Sequence, residues 1–400
     1  MQIRVKLENI DEEQKKYVYH TRMLRIKIGT SKEIKTPIRS VTNSEINAKA
    51  QIPAEVPIHA DIGLVNIKLG AGSRRNIISF LRKNSVFNRV VDTAYYNLIK
   101  MQHFPISVVL VQPSRSAIQL LEEQKMKETF IRMVTTLQIN LGLRIITIPW
   151  IRLTPQDLHN VVKDIKNEHP DLEVMPILDL LEPDYLEKYL KELGLYYKES
   201  QELQLLGVLY KTIDRNIPSY EVLWKNVHDK DIATFLIDVR RYGASNIVPE
   251  VASPHYAEFV FGDIIARYVP FAGGGSESSE KRRKREKPID AKLKFFDKDR
   301  LTVEALRNIK ERDIAWVEKI ASTFGNEKTV IEALENYQEA QGNRKKMGIL
   351  EAISKVHEYK ESLNEFKKSQ KFIEKGESME YIDEKYALRR ILSSKITKYR

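Results

Sequence analysis

Between about Asp61 and Phe271 the chain alternates short β-branched, apolar runs with stretches whose apolar residues recur every three to four positions. That alternation is the signature of β/α units wound around a parallel sheet. The runs that read as strands are Leu64–Leu69, Arg89–Asp92, Ile106–Val111, Arg144–Pro149, Val174–Leu180, Leu205–Tyr210 and Thr234–Val239, with a last one at Ile247–Glu250 or Arg267–Phe271. Most are apolar at successive positions, as strands covered on both faces require. Helices open at Ser73, at Thr154-Pro155 and at Glu182-Pro183. In the last two, proline takes the first helical position, where its missing N–H costs nothing. The strand count predicts an α/β fold, a (β/α)8 TIM-type barrel rather than an open doubly wound sheet, and so places any chemistry at the C-terminal ends of the strands.

The flanks read differently. Residues 1–60 carry two lysine-alternating stretches, QIRVKL and LRIKIG, which predict a β-rich N-terminal extension that closes the bottom of the barrel (61–271) or widens its binding face. Residues 272–290, AGGGSESSEKRRKREKPID, lack periodic apolar positions and read as a flexible Gly/Ser and Lys/Arg linker. From 291 to 400 apolar residues recur at three and four spacing, with no strand signal, so an all-α helical domain should follow the barrel. Its long amphipathic helices are candidates for self-association into a homo-oligomer.

Composition narrows the function. Four hundred residues exceed the ~250–300 at which a single core stops growing. With 30% charged residues and no run near the ~18 apolar residues of a spanning helix, neither a membrane segment nor a signal peptide is predicted, and the chain is expected to be cytoplasmic. The absence of cysteine removes disulfides, thiolate chemistry and cysteine-held zinc. No HExxH or close histidine pair supplies another metal site, so no metal or cofactor is expected, and His255 reads as structural. A cysteine-free chain rich in Lys, Glu and Ile also fits a hot-environment source. The net charge of +11 points to an anionic partner, nucleic acid before membrane. The excess is concentrated behind the barrel, with 30 Lys and Arg against 23 Asp and Glu from Ser276 onward, and 36 against 32 before it.

Three groups of residues carry candidate chemistry. Asp92, Asp179 and Asp238 each end a predicted strand, where carboxylates converging on a barrel mouth become nucleophiles or bases. The plainer alternative is that Asp179 caps the next helix and Asp238 pairs with Arg240 or Arg241. Aromatic residues beyond strand ends, Tyr95, Tyr96, Trp150, Tyr210 and Tyr242, are placed to stack a base, or else to pack the rim. Gly273 and Gly274 follow the last strand, where backbone N–H groups can cradle a phosphate if the segment is more than a linker. Lys281, Arg282, Arg283, Lys284, Arg285 and Lys287 put six positive charges within seven residues, suited to sequence-independent phosphate contacts.

The segments GTSKEIKTPIRSVTNSE (29–45), RVVDTAYYN (89–97), MPILDLLEP (175–183) and LLGVLYKTIDR (205–215) resemble the tRNA-guanine transglycosylase family, barrel enzymes that exchange a guanine base in nucleic acid. The resemblance implies that Asp92 and Asp179 contact the base and that Lys211 stands where the family uses a glutamine. It leaves Asp238 and Asp263 as the acids placed to act as nucleophile. The chain departs from the family pattern in three places: Thr93-Ala94-Tyr95 replaces Ser-Gly-Gly, the paired glycines after the sixth strand are missing, and so is the cysteine zinc site. The expectation is therefore a nucleic-acid-directed barrel enzyme of the base-exchange type, RNA before DNA. The alternative is a non-catalytic nucleic-acid or ribonucleoprotein-binding protein, with the barrel as platform and the helical tail as interaction module.

Overall fold

The computed structural model describes residues 3–13, 19–29, 32–55, 57–72, 76–194, 203–211, 216–239, 253–259, 261–269 and 288–393. The chain begins with an antiparallel sheet of β1 (Ile3–Glu13), β2 (Tyr19–Ile28) and β3 (Lys32–Lys35). The first barrel strand comes in two pieces, β4 (Ile38–Arg39) and β5 (Val41–Thr42), followed by β6 (Ile62–Leu69), β7 (Ile106–Pro113), β8 (Ile145–Ile148), β9 (Glu173–Asp179), β10 (Leu205–Leu209), β11 (Ala233–Val239) and β12 (Ile264–Arg267). β4 pairs in parallel with β12, and β5 in parallel with β6. One continuous stretch, residues 38–42, thus joins the two ends of the sheet. On the far side, Thr147 Oγ1 of β8 donates to the carbonyl of Val109 on β7 at 2.9 Å. The result is an eight-stranded α/β barrel followed by a helical region.

Period-two alternation sorts each strand into two faces. Ile62, Leu64, Ile106, Val108, Leu110, Met175, Ile177, Phe235 and Ile237 fill the lumen, while Val65, Ile67, Val109, Val111, Ile146 and Leu236 meet the outer helices. The lumen is so full that a Cβ at Gly207 would lie 2.2 Å from Ile177 Cδ1, so any side chain there would force Ile177 to move. The outer layer is α1 (Asn43–Lys49), α2 (Ile77–Arg82), α3 (Asn84–Ile99), α4 (Arg115–Glu123), α5 (Lys127–Asn140), α6 (Pro155–Glu168), α7 (Pro183–Glu192), α8 (Ile217–Val227) and the short α9 (Ser253–Ala257). α6 and α7 start at Pro155 and Pro183 as the sequence predicts, and Thr154 Oγ1 accepts from the Asp157 N–H at 3.1 Å.

Two strand assignments need correction. Arg89–Asp92 lies inside the sixteen-residue helix α3, whose buried positions Val90, Ala94 and Asn97 form one stripe. The β-branched pair in RVVD is overridden by helical periodicity over the longer window. The closing strand is Ile264–Arg267, while the alternative at 247–250 lies outside the described residues. The barrel starts earlier than residue 61, because KTPIRSVT supplies its first strand. The helix start expected at Ser73 falls outside the described residues, and α2 is capped instead by Asn76, whose side chain accepts from the Ile78 and Ser79 N–H groups.

The antiparallel sheet closes the bottom of the barrel. Ile3, Val5, Leu24, Ile26, Ile28 and Ile34 join the lumen core, and the β1 backbone is tied to the loops entering β10 and β11 by Val5 N–H to Gln204 Oε1 (2.6 Å) and Leu7 N–H to Asp231 Oδ1 (2.7 Å). Behind the barrel, a hairpin of β13 (Lys294–Asp297) and β14 (Thr302–Ala305) adds two strands that the sequence pattern did not announce. The long helix Arg344–Lys375 then packs on the barrel wall, ending at Gly376 in the left-handed conformation (φ 73°). Gln370 donates to the carbonyls of Lys35 and Pro37, and the Glu358 carbonyl accepts from Arg39 Nη1 at 3.1 Å. The helix therefore runs antiparallel to the first strand, in the place an outer helix between the last and first strands would occupy. Tyr359, Phe366, Tyr381 and Leu388 share one core with the barrel wall.

Candidate active site at the barrel mouth

Strand β6 enters the lumen as Ile62 and Leu64 and leaves it as Asn66 and Lys68, the next two inward positions on the same face. Both are buried, at 2% and 3% exposure. Lys68 Nζ forms an ion pair with Asp238 Oδ2, and Asn66 Nδ2 reaches Gln112 Oε1 at 3.1 Å and Asp238 Oδ1 at 3.3 Å. The ring of Tyr268 lies 4.8 Å from the Lys68 ammonium, a cation–π contact. Asn66 Oδ1 is buried with no hydrogen-bond partner among the described residues.

Asp238 reaches this cluster by an irregularity of its strand. Phe235 and Ile237 point into the lumen, so regular alternation would send Asp238 outward. Instead the β11/β12 register breaks between Leu236 and Val239, and Asp238 adopts a left-handed backbone at φ 64°. Aspartate tolerates that region better than most residues, though at a cost, and strand irregularities of this kind re-aim side chains beside functional sites.

A second cation–carboxylate pair stands on the same rim. Asp179 ends β9 on the inward face, and its Oδ1 lies 3.2 Å from Lys211 Nζ, just beyond β10. Lys211 also donates to the Leu180 carbonyl, and Tyr220 OH donates to the Lys211 carbonyl at 3.0 Å. Burial pushes the Tyr220 phenol well above its ordinary range, so it stays protonated as that donor. Leu209 pairs with both Asp179 and Ile237, so the two carboxylates sit within one residue of the same height. With one strand between them, their backbones stand about 10 Å apart at the usual strand spacing, and both side chains turn toward the mouth.

The structure thus brings together Asp179, Asp238 and Lys211 and adds Lys68, Asn66 and Gln112, which the sequence reading missed. It does not bring Asp92, Tyr95 and Tyr96 there. All three lie on the outer helix α3, the tyrosines 59% and 61% exposed, because the segment carrying them is not a strand. Trp150 packs edge-on against Tyr189 and serves the wall. Asp263 is at the opposite end of the barrel, held by Arg22 in a two-pronged contact (Nε–Oδ1 3.0 Å, Nη2–Oδ2 2.7 Å) and by the Thr234 N–H and hydroxyl. His255 is fully buried against the long helix, with Ser362 Oγ 2.9 Å from Nε2, and burial depresses its basicity. Tyr242, Gly273, Gly274, Lys281, Arg282, Arg283, Lys284, Arg285 and Lys287 lie outside the described residues. Among the described residues, no group of three or more His, Asp or Glu could hold a metal ion, and no helix is long and apolar enough to cross a membrane.

No protein-family model matches the chain, and no curated protein is significantly similar to it. Similar solved structures include the YdjI aldolase of Escherichia coli K12 (10% identity, 82% of this chain and 91% of that one, TM-score 0.34). Others are the phosphoribosyl anthranilate isomerase of Thermus thermophilus (11%, 58% and 86%, 0.29) and the tryptophan synthase alpha subunit of Campylobacter jejuni (11%, 57% and 84%, 0.30). Likenesses this distant carry no argument about chemistry.

Proposed function

We propose that this chain is a barrel enzyme whose reacting centre is the Lys68–Asp238 pair. The observation that supports it is the broken register and left-handed backbone at Asp238, which turn a carboxylate into the mouth to meet a buried lysine. An anionic group of a substrate would compete with Asp238 for the Lys68 ammonium. That exchange leaves the carboxylate next to the bound molecule as base or nucleophile. Asp179, with Lys211, is the second acid that a base exchange requires: one carboxylate attacks the sugar carbon as the C–N bond to the outgoing base breaks, and the incoming base, held by the other, then displaces that carboxylate through a ring nitrogen, its proton passing to the departed base. We take nucleic acid as the substrate class on the net charge of +11 and on the resemblance of MPILDLLEP (175–183) and LLGVLYKTIDR (205–215) to the tRNA-guanine transglycosylases.

The test is incorporation of radiolabelled guanine into tRNA, single-stranded RNA and duplex DNA by the full-length protein. The reading predicts label in one of these species, reduced at least about 100-fold by Asp238→Asn and by Asp179→Asn. Absence of label from all three, or label unaffected by both substitutions, overturns it.

A further inference from the structure

Away from the barrel mouth, a cavity of about 540 Å³ opens between the β13–β14 turn, the helix Trp316–Ser322 and the long helix. That volume is in the range of small-molecule sites. Its apolar walls include Phe295, Trp316 and Ile320. Two polar side chains of the long helix line it one turn apart, His357 and Glu361, spaced to contact the same ligand. His357 is 5% exposed, and its Nδ1 has no hydrogen-bond partner among the described residues. Glu361 accepts from Thr323 Oγ1 at 3.1 Å through Oε1, while Oε2 is paired with the Lys298 ammonium at 3.0 Å and has a second lone pair for another donor. Burial pushes the His357 imidazole down to about 4, so the ring is neutral and its tautomer free to suit a partner.

The charges around the opening cancel locally. Arg312 is engaged by Asp297 (2.6 Å) and Glu304 (2.7 Å), and Lys319 is paired with Asp313. A phosphate chain would have to break these pairs, so the cavity does not suit a polyanion. It does suit a flat, uncharged molecule with an apolar body and directed N–H groups.

We infer that the cavity binds a small planar nitrogen heterocycle, its ring against Trp316, an N–H donating to Glu361 Oε2 and a ring nitrogen pairing with His357 Nδ1. This site is separate from the barrel mouth and does not depend on the reaction assigned there.

The probe is 2-aminobenzimidazole, titrated calorimetrically at pH 9, where it is uncharged, into the full-length protein beside 2-methylbenzofuran, a flat bicycle of similar shape without N–H groups. The inference predicts saturable one-site binding of the first probe, and at least about tenfold weaker binding of the second. It also predicts a similar loss for the first probe in Glu361→Gln and in His357→Phe, with binding unchanged in Lys68→Met. His357→Phe keeps the apolar burial of the ring, so it carries the test if Glu361→Gln fails to fold. No saturable binding, equal binding of the two probes, or affinity unaltered by the His357 substitution would overturn the inference.

Discussion

The two ends of the barrel each bury a cation–carboxylate pair, and the pairs are built differently. At the bottom, Arg22 and Asp263 are saturated: the guanidinium reaches the Val227 and Lys230 carbonyls as well as the carboxylate, and Asp263 Oδ2 accepts from the Thr234 N–H and hydroxyl. These bonds staple the antiparallel sheet to the loops beneath β11 and β12. At the mouth, Asp238 is reached by Asn66 at 3.3 Å and by the Val269 N–H at 3.4 Å, both long contacts, and Asn66 Oδ1 is left without a partner. Similar chemistry serves cohesion where the backbone completes it. Where the backbone is strained to present it, the proposed reading gives the pair to a substrate.

The largest effect expected from this contrast is at the bottom. Asp263→Asn leaves a buried guanidinium uncompensated and weakens the Thr234 contacts, and should lower the unfolding free energy by about 3–5 kcal/mol in urea titrations. A loss below about 1 kcal/mol would remove the structural role given to this pair. A smaller effect belongs to the seam between the β13–β14 hairpin and the long helix, where His357 packs against Phe295. His357 is held neutral in the fold with its basicity lowered from 6.5 to about 4. Its contribution is therefore complete above pH 6.5 and is lost as pH falls toward 4, worth about 3 kcal/mol to order of magnitude. His255, lowered in the same direction, adds to that loss. The stability of His357→Phe, followed by thermal unfolding between pH 7 and 4, should fall less steeply than that of the parent; an equal slope would place the acid sensitivity elsewhere. The smallest effect is on α3. Tyr95→Ala and Tyr96→Ala should change stability by no more than about 0.5 kcal/mol and leave the labelling of nucleic acid intact, because both rings lie on the outer surface. A marked loss of labelling would return these tyrosines to the site.

Much of the barrel was legible in the sequence because buried parallel strands such as ISVVLV and TFLIDV carry their own signal. The first strand was not, because IRSVT is short and polar: Arg39 is fully buried only because Glu45 and the long helix supply its partners from elsewhere in the chain. RVVD misled because two valines outweighed a helical stripe visible only over sixteen residues. At the site, Asp179 was readable from its position at a strand end. Asp238 was also read as a strand-end acid, yet it reaches the mouth through a backbone irregularity that no periodicity reports. Lys68 and Asn66 did leave a trace, two polar residues at alternate positions of an otherwise apolar strand, the pattern that marks one face of a lumen turning polar.

The most direct test of the contrast compares two double variants in urea unfolding, Lys68→Met/Asp238→Asn at the mouth and Arg22→Met/Asp263→Asn at the bottom. Removing both charges of a buried pair is often neutral or stabilising when few other bonds depend on it. The mouth variant should therefore stay within about 1 kcal/mol of the parent or exceed it, while the bottom variant, which orphans several buried backbone groups, should lose at least about 3 kcal/mol. Equal losses in the two would contradict the claim that the mouth pair is kept for function and the bottom pair for the fold.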